Sequence, residues 1–168
     1  ATALTGLEMA SKLAENTSRG STITASEGVL RLRVANLLNA IGRLYLRRDD
    51  AVRAADYFRG SLAQAEKVKD AAASARALAN LAHIAARRDD FRAASAESAR
   101  ALRLAQESGD RMAQARIYVN LGHYLARLGR RDEAQDSYRS AQTLSEAIGW
   151  NEGVAVAHQA LEAVARAV

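Results

Sequence analysis

Apolar residues recur along the chain at intervals of three and four, the spacing of a helical face rather than of a strand. After Arg76, residues Leu78, Leu81, Ala82 and Ala85 fall on one side of such a helix. The Asp89-Asp90 pair then interrupts the pattern and offers an N-cap. A second run, Phe91, Ala94, Ala101, Leu104 and Ala105, continues until Gly109. The pattern predicts two helices joined by a short polar turn, and the pair repeats. Arg47-Arg48-Asp49-Asp50 returns as Arg87-Arg88-Asp89-Asp90, a shift of 40 residues, and Asn80-Leu81-Ala82-His83 returns as Asn120-Leu121-Gly122-His123 at the same shift. Ala54, Ala94 and Ala134 keep that spacing, as do Lys69-Asp70, Gly109-Asp110 and Gly149-Trp150.

Each helix pair leaves an apolar face that only a neighbouring pair can cover, so the repeats predict an all-α solenoid of antiparallel helix pairs, about eight helices in all. A single domain spans 1–168. Residues 1–28 form a half repeat with a polar connection, 29–70, 71–110 and 111–150 form full repeats, and 151–168 form a terminal helix. Ala3–Glu15 reads as the second helix of an earlier unit, and Asn16–Ala25, with Gly20, as the connection. Thr24-Ala25-Ser26-Glu27 fits a capping box. A half repeat at each end predicts a segment of a longer array with Leu161, Val164 and Val168 exposed. The alternative makes the last helix a cap, with Glu162 and Arg166 facing water.

Composition agrees with an all-helical chain. Ala, Leu, Arg, Glu and Gln, all strong helix formers, outweigh Val and Ile. No run of about 18 apolar residues exists, and the first residues lack the basic flank and apolar core of a signal peptide. With 0 Cys there is no disulfide framework, thiol nucleophile or thiolate metal site, which fits a cytoplasmic setting. The formal charge of +5, almost all from Arg, suits acidic proteins, nucleic acid or an anionic surface. A GC-rich coding sequence would give the same Arg bias, so placement matters more than total charge.

Opposite the apolar face of the second unit lie Arg76, Asn80, His83 and Arg87, within about 60° of one another at about 100° per residue. The third unit repeats the quartet as Arg116, Asn120, His123 and Arg127, and the first has Asn36, Ala40, Arg43 and Arg47. Stacking predicts one basic, amide-rich surface; the plainer reading is a solvated face. Arg forms bidentate bonds to carboxylates, and Asn presents both a donor and an acceptor to a peptide main chain. His83 and His123 would add pH dependence near neutrality if they titrate there, although neutral hydrogen-bonding imidazoles are the more ordinary expectation. Arg48, Arg88, Arg130 and Arg131 are expected to be compensated by the adjacent turn acids. Trp150 is expected at a repeat junction and His158 in the core.

The third unit, Asn120-Leu121-Gly122…Gly129…Ala134…Tyr138…Ala141, resembles the tetratricopeptide repeat. The first, Ile41-Gly42…Ala54…Phe58, and the second, Leu81-Ala82…Ala94…Ala101, follow it, so the resemblance covers roughly residues 30 to 168. The period exceeds the family's usual length of about 34, and the proline that often ends the second helix is missing. Both departures resemble the long-repeat subgroup of kinesin light chains and of arms of bacterial transcription regulators. The resemblance implies a right-handed superhelix whose first helices line a concave groove. It implies protein or peptide binding and no enzymatic activity, and its groove positions coincide with the stripe.

No HExxH, GxSxG or glycine-rich phosphate loop is present. The one candidate metal pair, His83 with His123, has no acidic residue on its stripe, so neither a metal nor a cofactor is expected. The favoured reading is a module binding an acidic or carboxylate-bearing peptide or protein. Nucleic acid, with RNA foremost, is the rival partner; it finds no aromatic stacker in the stripe. Self-association through the terminal helices is a third reading.

Overall fold

The structure, a computed structural model, describes residues 25–166. The expectations for Ala3–Glu15, for the connection up to Thr24 and for Val168 fall outside the described residues. Seven helices and no strand occur among those described: α1 (Ala25–Arg47), α2 (Ala51–Lys67), α3 (Ala71–Arg87), α4 (Phe91–Glu107), α5 (Arg111–Arg127), α6 (Arg131–Ile148) and α7 (Asn151–Arg166). The eighth expected helix is the one placed at Ala3–Glu15.

The period of 40 has a simple construction. A helix of 17 residues and a turn of three, taken twice, make one unit in α2 to α5. Every turn uses the same backbone device. Asp49, Lys69, Asp89, Gly109, Gly129 and Gly149 all have positive φ, and the amide of the following residue donates back to a carbonyl five positions earlier, as in Asp90 to Ala85 at 3.0 Å. This Schellman closure satisfies carbonyls that the helix end leaves open. Asp50, Asp70, Asp90 and Asp110 then cap the next helix, each accepting from the amide three residues on. At the fifth turn Arg130 has no side-chain cap; its guanidinium instead pairs with Glu133 through two 2.6 Å bonds.

Within each unit the helices meet closely enough to require small residues. A β-carbon added to Gly42 would lie 2.7 Å from the Phe58 ring, and one added to Gly122 would lie 2.5 Å from Tyr138. The second unit has Ala82 opposite Ser98, both buried, and there Tyr124 from the third unit packs against Ala82, Ala94 and Phe91. Each site thus has one bulky ring and one small partner, which keeps the core close-packed.

Two expectations are corrected. His158 is exposed and lies 3.6 Å from Glu162, because no second helix packs over this part of α7 among the described residues. Leu161 and Val164 are not left bare; they are half-buried against the cluster of Leu125, Ala134 and Tyr138. Glu162 and Arg166 do face water, as the cap reading has it. One irregularity stands at the other end. α1 has 23 residues, its last 17 matching α3, so six residues extend it where the other first helices begin after a capped turn. Arg31, at that junction, is buried and bonded to Glu27 and Gln64.

Candidate binding groove

Besides packing on their immediate neighbours, α1, α3, α5 and α7 touch one another in succession, while the second helices do not touch each other to a comparable extent. Four elements in mutual contact on one side of a stack must lie on its inner curve. The predicted stripe falls on these inner helices. Asn36, Arg43, Arg47, Arg76, His83, Arg87, Arg116, His123 and Arg127 are exposed there, and Asn80 and Asn120 are half-buried. No group of three potential metal ligands occurs among the described residues.

Many stripe groups already have partners in the neighbouring unit. Arg76 donates to Asn36 at 3.1 Å, and Asn80 donates to Asn39 at 2.8 Å. Arg87 pairs with Asp49, and Arg127 lies 3.5 Å from Asp89 while its guanidinium stacks 4.2 Å from the Phe91 ring centre. Arg116 stands 5.4 Å over Trp150. Trp150 itself lies against Gly153, so the expected junction role is correct, with contact to the groove added.

Asp49 and Asp89 correct two expectations at once. They occupy the positive-φ site of their turns, which projects their carboxylates toward the next unit rather than back toward Arg48 and Arg88. Acidic residues therefore do enter the stripe. Among the described residues, Arg130 is the one turn arginine with a local acidic partner. The spacing of 38 residues between Asp49 and Arg87 was available in the sequence, but it is hidden beneath the stronger repeat of 40.

Arg43, Arg47, His83 and Asn120 make no side-chain hydrogen bond or ion pair within the described residues. His123 bonds the Tyr138 hydroxyl through Nδ1 at 2.9 Å and meets that ring edge-on. Desolvation lowers the pKa of His123, and desolvation with the nearby Arg87 charge lowers that of His83. Both imidazoles are thereby held toward the neutral form, the ordinary expectation rather than the switch. Burial pushes the Tyr138 phenol up to about 12. The stripe ends at α7, where Val156, Ala160 and Ala163 stand 40 residues after Arg116, Asn120 and His123.

Residues 74–147 match the family described as tetratricopeptide repeat. Among solved structures, BtubC (BKLC) from P. vanneervenii superposes with a TM-score of 0.72 at 20% identity, over 79% of this chain and 56% of that one. The TPR domain of Arabidopsis FLU superposes with a TM-score of 0.64 at 18% identity, over 70% of this chain and 98% of that one. At such identities the likeness is one of fold, and the chain spans little more than half the length of BtubC. No curated protein matches the sequence. No described helix is long and apolar enough to cross a membrane. Residues 74–147 thus carry tetratricopeptide repeats by sequence, and the described helices share the helix-pair solenoid fold of these structures.

Proposed function

We propose that the inner face of α1, α3, α5 and α7 binds a carboxylate-bearing segment of a protein partner, as the interaction arm of a larger protein. The observation that carries this reading is the pairing state of the stripe. Arg43 and Arg47 stand exposed with no ion-pair partner among the described residues, while Arg87 and Arg127 are engaged by Asp49 and Asp89. An incoming carboxylate therefore meets uncompensated cations at α1 and ion pairs that it can exchange at α3 and α5. Exposed pairs of this kind contribute only about 0–1 kcal/mol, so exchanging them costs little. Asn120 has amide donors and an acceptor free for a peptide main chain. Nucleic acid is disfavoured because two carboxylates sit among the groove cations.

The test is a titration of acidic and neutralised versions of a peptide library, at low and moderate salt, with homopolymer RNA as competitor. The unaltered domain should retain acidic peptides, and Arg43→Glu with Arg47→Glu should remove that binding without moving the thermal transition. Equal retention by the double variant places binding elsewhere. Displacement by RNA at low salt, with no peptide retained, would mean a nucleic-acid groove.

A further inference from the structure

The two groove histidines hold the same place in successive units and differ in what supports them. His123 has Tyr138 on the helix that pairs with its own; the corresponding residue for His83, 40 positions earlier, is Ser98. His83 makes no side-chain hydrogen bond within the described residues, whereas His123 Nδ1 lies 2.9 Å from the Tyr138 hydroxyl. Either group can supply the proton of such a bond. Burial decides which one does. Tyr138 is 1% exposed, which denies its hydroxyl water, and that hydroxyl makes no other hydrogen bond among the described residues. Were Nδ1–H the donor, the phenol hydrogen would be buried without a partner, at a cost of about 1–3 kcal/mol. The phenol therefore donates and Nδ1 accepts. Desolvation favours the neutral imidazole, so its one proton sits on Nε2.

We infer that Tyr138 is a positioning residue for the groove: it fixes His123 as an Nε2–H donor to an acceptor oxygen of the bound segment. Nδ1 is turned toward α6, so Nε2, on the far edge of an exposed residue's ring, is turned to the open side, and no described residue bonds it. Asn120, one helical turn earlier on the same face, has its amide free. The two cations of this unit are held against aromatic rings, Arg116 over Trp150 and Arg127 over Phe91. The third unit thus offers two uncharged hydrogen-bonding groups where the first offers the free cations Arg43 and Arg47. The charge of a partner segment is read at α1, and its oxygen acceptors are read at α5. His83, without a tyrosine beneath it, carries its proton on either nitrogen and imposes no such polarity. The donor role rests on the groove reading above; the fixed tautomer does not, which lets the two be tested apart.

NMR of the imidazole nitrogens in the full chain at about pH 8, where both groove histidines are neutral, reads the tautomers directly. Without ligand, His123 should show a bare Nδ1 and a protonated Nε2, while the two nitrogens of His83 should lie closer together, as a mixture of tautomers. Tyr138→Phe, which keeps the buried ring and drops the hydroxyl, should draw the two His123 signals together and leave those of His83 in place. A proton on Nδ1 of His123, or His123 signals unmoved in Tyr138→Phe, overturns the positioning. Added oligoglutamate peptide should then shift the His123 Nε2 signal to saturation. Peptide that binds, as read from the Arg43 and Arg47 amides, with Nε2 unmoved overturns the donor role. Peptide that does not bind overturns the groove reading and the donor role with it, while the tautomer is decided by the ligand-free spectra.

Discussion

Gly122→Ala tests whether the helix–helix contact in the third unit is as tight as its geometry indicates. The added methyl would lie 2.5, 2.7 and 2.9 Å from three atoms of the Tyr138 ring. That ring cannot swing aside, since it is buried and its hydroxyl is held by His123 at 2.9 Å. Relief needs α5 and α6 to separate by about 1 Å, given carbon–carbon contacts of about 3.5–4.0 Å. Overpacking of this kind costs about 1–3 kcal/mol, while Ala is better than Gly in a helix by about 1 kcal/mol. The net expectation is a loss of up to about 2 kcal/mol, or up to about 8 °C in the midpoint for a domain of this size. The assay is urea unfolding followed by circular dichroism and by the fluorescence of Trp150, the single tryptophan, which sits on the adjoining junction. The control is the same change in a Tyr138→Ser background, which reproduces the Ala82–Ser98 arrangement of the second unit. There the clash is gone and Gly122→Ala should stabilise by up to about 1 kcal/mol, although Tyr138→Ser itself costs several. A rise in midpoint for Gly122→Ala in the unaltered chain, or the same sign in both backgrounds, would refute the reasoning.

Three further outcomes are expected. Lys69→Gly should stabilise by about 0.5–1 kcal/mol in urea unfolding, since Lys69 holds φ 56° where Gly109, Gly129 and Gly149 serve the same turn without a β-carbon penalty. Asp110→Ala should destabilise by about 1 kcal/mol and speed amide exchange in the first turn of α5, because the Asp110 carboxylate accepts from Ala113 at 2.9 Å. Stability should fall as pH drops below about 6.5, the unfolded histidine value. His83 and His123 have lowered pKa values when folded, so the unfolded chain binds more protons in that range. Replacing both with Gln should flatten that part of the pH–midpoint curve.

The repeat, the helices and the turns are legible in the sequence because each rests on local chemistry. Three-and-four spacing makes an amphipathic helix wherever it occurs, and Asp or Gly at a fixed place in the turn closes and caps it. The glycine–aromatic pairs Gly42 with Phe58 and Gly122 with Tyr138 are legible too, once a repeat of 40 sets two helices side by side. What the stripe residues touch was decided only by tertiary structure. Contacts between units follow the offset of one helix pair on the next, and they join residues 38, 40 and 41 apart in Asp49–Arg87, Asn36–Arg76 and Asn39–Asn80. A one-dimensional period cannot set that offset. For the same reason the sequence placed His158 in the core by analogy with Tyr118, whereas burial there requires a neighbouring helix over α7. Periodicity determined which residues share a face; the stacking of faces determined which are engaged by neighbours and which remain open.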